Sequence, residues 1–137
     1  MGTGKLAAVA MIAALGMSPI ASGANASTAD GIWNIRTLAV QVFDCANLVC
    51  GRVVGVNDPE KRSGVCGRII VWNLTQNGPS EWTDGWIFDP DDNDTYHISA
   101  TLEPDDTLRA RIYSGIPLFG RTEILKRIPP RSMPGWC

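Results

Sequence analysis

The chain has 137 residues and a formal net charge of −2, from 12 basic and 14 acidic side chains plus one histidine. That length suits a single domain. The basic residues are scattered, which excludes the clustered Lys/Arg stripe of a nucleic-acid binder and the polybasic patch of a membrane-surface protein.

The first 26 residues, MGTGKLAAVAMIAALGMSPIASGANA, have the order of a secretory signal peptide. Lys5 supplies the positive charge, Leu6 to Met17 the apolar run, and Ala24-Asn25-Ala26 the small-residue cleavage site. The run is shorter than the roughly 20 apolar residues of a membrane-spanning helix. The expected mature domain is 27–137, periplasmic or secreted, with no transmembrane segment after cleavage. It keeps 11 basic and 14 acidic residues once Lys5 is lost. All four cysteines fall in it, and an even count in a small exported domain implies a disulfide framework.

Short β-branched and aromatic runs then follow one another, separated by turn signals. GIWNIRT (Gly31–Thr37) is the first strand, LAVQVFDC (Leu38–Cys45) the second and VCGRVVGV (Val49–Val56) its hairpin partner. Cys45 and Cys50 flank the turn ANLV, where Asn47 suits a left-handed conformation. The C-x4-C spacing and the single histidine do not make a zinc site. The spacing is not the C-x-x-C of a redox centre either. Five extended residues reach about 17 Å, yet disulfide Cα atoms sit about 5.5 Å apart. Cys45–Cys50 is therefore expected to staple a hairpin. By elimination Cys66 pairs with Cys137, tying the C-terminal tail to the fourth strand.

NDPEKRSG (Asn57–Gly64) reads as a polar loop or one helical turn. The remaining strands are expected at Cys66–Thr75, Glu81–Asp89, Thr95–Glu103, Thr107–Gly115 and Pro117–Ile128, before an irregular tail. Tyr96, Ile98, Ala100 and Leu102 share one face, as do Leu108, Ala110 and Ile112. The opposite face of the latter strand carries Arg109, Arg111 and Tyr113, expected to face solvent. Eight short strands with one apolar face predict an all-β fold, a small eight-stranded up-and-down antiparallel β-barrel. A β-sandwich is the rival.

Candidate sites are few. DPDDND (Asp89–Asp94) offers oxygen ligands for calcium, but lacks the glycine and bidentate glutamate of a calcium loop and reads as a hairpin turn. His97 has Ser99 on its own strand face, but no wider catalytic constellation accompanies it. No catalytic residue, metal ligand or cofactor is expected. Trp82, Trp86 and Phe88 fall on one face of one strand, and with Tyr96 they form a candidate aromatic wall for a ligand.

Three ordered stretches resemble one family. VQVFDCANLVCGRVV, WTDGWIFDPDDNDTY and LRARIYSGIPLFGRTEILKR are similar to motifs of domain of unknown function 2147, a group of exported bacterial proteins. The resemblance spans most of Gly31 to Arg127. It implies a lipocalin-like barrel in a small periplasmic or secreted protein, and no common activity. Asp84 stands where the family pattern has a glycine, Ile112 replaces another glycine, and Leu125 replaces a tryptophan. Cys66 and Cys137 are additions to that pattern. Gly31-Ile32-Trp33 also resembles the G-x-W that opens lipocalin barrels, in which the tryptophan packs beside a basic residue of the last strand. Here Arg127 or Arg121 could fill that role, and Trp33 with Arg127 is the expected pair.

The leading expectation is an exported lipocalin-like binder of a small apolar or amphipathic molecule, not an enzyme. The alternative is an envelope or inhibitor protein that acts through its loops, with a barrel filled by side chains.

Overall fold

A computed structural model describes residues 29–137, together with Gly4 and Gly16. The expected export segment 1–26 lies outside the described residues, apart from those two glycines. Eight strands run β1 (Gly31–Ile35), β2 (Leu38–Cys45), β3 (Leu48–Val56), β4 (Ile69–Gln76), β5 (Glu81–Asp89), β6 (Asp94–Leu102), β7 (Leu108–Tyr113) and β8 (Arg121–Arg127). One short helix, α1 (Arg62–Val65), interrupts the β3–β4 connection, and a 3₁₀ turn (Pro117–Phe119) lies between β7 and β8.

Each strand pairs antiparallel with the next, and β8 returns to β1 through Trp33↔Arg127 and Asn34↔Lys126. The result is a closed barrel rather than a sandwich. Closure leaves no long free sheet edge, which suits strands this short. Among the described residues, no helix is long and apolar enough to cross a membrane.

The turns follow from local chemistry. Ala46 (φ +51) and Asn47 (φ +67) are both left-handed, the conformation of a two-residue hairpin turn. Cys45 therefore faces Leu48, and Cys50 faces Phe43, two steps further along. The staple runs diagonally across the hairpin, with its Cα atoms 6.0 Å apart.

The interior is apolar and continuous. Trp33, Val40, Val53, Ile70 and Trp82 are essentially inaccessible to solvent. β7 alternates as its sequence implies: Leu108, Ala110 and Ile112 are buried, while Arg109 is exposed and Arg111 and Tyr113 are half-buried. β2 departs from alternation, because Leu38, Ala39 and Val40 are all buried. The tail explains this. Met133 lies over the outer side of Gly55 and Ala39. Val56 N–H donates to the Gly135 carbonyl, and Cys137 N–H donates to that of Val54. The tail thus forms a strap along the part of β3 that β4 does not cover, held by Cys66–Cys137. Gly135 is required there, since a Cβ would sit 1.7 Å from the Val56 oxygen.

The two barrel ends differ. The base carries the β2–β3, β4–β5 and β6–β7 turns and the chain's entry at Ala29–Asp30. There the Arg127 guanidinium lies 4.3 Å from the Trp33 ring centre. Trp33 Nε1 donates to the Ala29 carbonyl at 2.8 Å, and Arg127 donates to Asp30 O and Asp106 Oδ2. Gly31 sits at φ +140, a backbone conformation that favours glycine, with Arg127 Nη1 2.7 Å from where a Cβ would be. The mouth carries the β1–β2, β3–β4, β5–β6 and β7–β8 connections.

Candidate functional site

β5 corrects the expected aromatic wall. Trp82 is buried, but Gly85, Ile87 and Asp89 are the next buried positions, while Trp86 and Phe88 turn outward. The pairing register shifts between Trp82 and Gly85, where Asp84 adopts φ +60. This β-bulge adds one residue and reverses the in-out parity of the rest of the strand. Trp82, Trp86 and Phe88 therefore do not share a face. Trp82 packs among the interior side chains near the base. Trp86 stacks on His97 at 4.1 Å, and His97 on Tyr113 at 5.2 Å, as a ladder on the barrel's outer surface. Phe88 lies under the Arg68 guanidinium at 4.0 Å. Of the four candidates, Phe88 is the one that lines the mouth cavity; Tyr96 stands beside it, paired with Ile87 and with Arg121 5.5 Å from its ring.

Most of the lumen is filled. Among the described residues, a cavity of about 30 Å³ opens at the mouth. Its floor is apolar: Ile35, Leu38, Val65, Ile70, Ile87 and Ile112. Its rim is charged: Arg36, Lys61, Asp89, Asp91, Arg121 and Glu123. A void of that size holds one or two waters, well below the roughly 300–1,000 Å³ of a drug-sized pocket.

The rim charges form a closed ring of ion pairs. Arg36 reaches Asp89 at 3.4 Å and Glu123 at 2.9 Å. Arg121 reaches the same two carboxylates, each at 3.2 Å. The Asp89 side chain is only 11% exposed, so its charge needs both arginines. Arg36 comes from the two-residue β1–β2 turn, where φ is +54, while Asp89 ends β5 and Arg121 and Glu123 open β8. The ring therefore ties three separate parts of the barrel across its mouth. A second strap, Lys61 to Asp91, joins the β3–β4 and β5–β6 connections.

The aspartates of the β5–β6 turn are engaged locally. Asp89 Oδ1 accepts from Asp91 N–H, Asp92 Oδ1 from Asp94 N–H, and Asp92 Oδ2 from the Tyr96 hydroxyl. Among the described residues, no group of three or more His, Cys, Asp or Glu is arranged to hold a metal ion. The bond to Asp92 raises the Tyr96 phenol above its usual 10.0, and the bond to Asp91 raises Lys61 above its usual 10.5. In both cases the folded chain favours the protonated form. The stabilisation is thus whole below those usual values and is lost as pH rises through the raised ones. In Tyr113→Phe protein, where Tyr96 is the remaining tyrosine, phenolate absorbance should develop with a midpoint above pH 10.0. A midpoint at or below it contradicts the Tyr96–Asp92 bond.

A family described as "Uncharacterized protein conserved in bacteria (DUF2147)" matches residues 28–127. The chain belongs to the DUF2147 family. No curated protein is similar enough to this chain to count as a match. Among solved structures, the chain is similar to HP1028 from Helicobacter pylori, which is described as belonging to the lipocalin family. That likeness has a TM-score of 0.59 at 14% identity, over 74% of this chain and 83% of that one. It shows a lipocalin-like barrel. Within DUF2147, the ring residues Asp89 and Arg121 fall in stretches that carried the sequence resemblance, DPDDND and LFGRT. The sequence pointed to those stretches without indicating that they meet.

Proposed function

We propose that this DUF2147 protein is an exported binder of a small amphipathic molecule, which it holds at the barrel mouth. The observation that carries the reading is the meeting of an apolar floor with Arg36 and Arg121 in one opening. An apolar end would seat on Ile35, Leu38, Ile70, Ile87 and Ile112, leaving water at about 25 cal/mol per Å² buried. A polar head would take hydrogen bonds from the two guanidiniums, whose planar donors suit carboxylate and phosphate oxygens. The small cavity requires the ligand to insert only a short tail or to open the ion-pair ring. The reading assigns no catalytic residue. Export rests on the leader-like sequence and is supported by two disulfides, which persist in oxidising compartments.

Thermal-shift and tryptophan-fluorescence titrations with fatty acids, lysolipids and neutral amphiphiles test the binding. Wild-type protein should respond to at least one class. Arg121→Gln should weaken that response about tenfold, with Arg121→Lys intermediate. No response across the panel would leave the second reading, an envelope protein-interaction module. The filled lumen is the observation that favours it.

A further inference from the structure

The β7–β8 connection holds three apolar side chains in solvent: Ile116 is 50% exposed, Leu118 76% and Phe119 78%. They are not on a loose loop. Arg111 fixes the turn from the neighbouring strand. Its Nε and Nη2 donate to the Pro117 carbonyl at 2.9 and 2.7 Å, Nη2 also to Leu118 O at 3.2 Å, and Nη1 to Thr122 Oγ1 at 2.9 Å. Gly120 adds a close approach, since a Cβ there would lie 2.5 Å from the Ile112 carbonyl oxygen. The chain thus presents an ordered apolar tip to water, against the ordinary preference of Leu and Phe for the interior.

The tip stands on the mouth rim. Ile112, just before it, and Arg121, just after it, both line the mouth cavity. The charges lining that rim balance, with Arg36, Lys61 and Arg121 against Asp89, Asp91 and Glu123. Asp92 in the β5–β6 turn and Asp94 at the start of β6 add two further acidic side chains. A strongly anionic surface would be repelled there, while a zwitterionic one meets partners of both signs.

We propose that Ile116, Leu118 and Phe119 insert into a zwitterionic lipid surface and set the barrel mouth at the level of the head groups. The docking stands on the tip itself. It rests on the binding reading only in making the bilayer the source of the amphiphile. Apolar side chains at the acyl boundary, with a rim of both charge signs and an acidic excess at the head groups, match the layering of a zwitterionic interface.

Flotation of the exported protein with phosphatidylcholine vesicles tests this, alongside phosphatidylglycerol vesicles and the L118S/F119S variant. Wild type should float with phosphatidylcholine and less with phosphatidylglycerol. L118S/F119S should partition about tenfold less while keeping the wild-type melting temperature, because both side chains are exposed. Failure of wild type to float with phosphatidylcholine, or equal flotation of the variant, overturns the proposal. So does tip-dependent capture of a protein from lipid-free extract without any flotation, which would make the partner a protein. Flotation without uptake of any amphiphile would uphold the docking and remove the binding reading, so the two fail separately.

Discussion

Trp33→Ala should lower stability by about 3–5 kcal/mol, at the top of the range for a single core truncation. Trp33 is wholly buried at the base of the barrel, and its indole both fills the interior and donates to Ala29. Truncation leaves a cavity where β1 and β8 close, and that closure has only two paired positions. The Arg127 guanidinium over the ring adds a second component of about 0.5–2 kcal/mol. A double-mutant cycle of Trp33→Leu with Arg127→Met, read by denaturant unfolding, isolates it from the bonds that Arg127 makes to Asp30 and Asp106. A coupling of that size is expected, and zero coupling would remove the cation–π account of the base.

Removing the Cys66–Cys137 bridge should cost about 4 kcal/mol, against about 2 kcal/mol for Cys45–Cys50, because its loop is far longer. The local consequence separates the two further. The long bridge holds the strap over Ala39 and Gly55, whereas the short one closes a hairpin that the barrel already pairs on both sides. In Cys66→Ser/Cys137→Ser protein, the Val56 amide should lose hydrogen-exchange protection as the tail detaches, while the amides of β6 and β7 keep theirs. In Cys45→Ser/Cys50→Ser protein, Val56 should stay protected. Equal losses for the two variants, or a Val56 amide unchanged without the long bridge, would contradict the strap.

The strand order and the closed barrel were legible because the turn signals are local and the later strands alternate cleanly. Ile98, Ala100, Leu108, Ala110 and Ile112 fall inside as their period implies. The site was harder to read, for two physical reasons. A single bulge at Asp84 reversed the parity of β5, and strict alternation cannot register an inserted residue. The available signal was an aspartate at a family glycine position, the substitution expected where the backbone is left-handed. The ion-pair ring is a long-range feature. Arg36 and Glu123 lie 87 positions apart and meet only through β1–β8 closure. The tail read as irregular because its pairing to β3 involves three residues and no strand pattern.

Trp86, His97 and Tyr113 show the same limit from the other side. Their spacing suggested a binding wall for Trp86 and a lone polar residue for His97. Cross-strand register instead brings all three rings together outside the barrel. The aromatic richness of the chain is therefore divided between a filled core and an outer ladder, and Phe88 is the aromatic side chain among the aliphatic and charged residues that line the mouth.

The central claim is that the mouth holds an amphipathic molecule. Native mass spectrometry of protein purified from its own source tests it most directly. The account predicts a bound species of lipid-like mass that is retained by wild type and reduced in Arg121→Gln. Protein that carries no such adduct and gains none on incubation with lipid extract would contradict it.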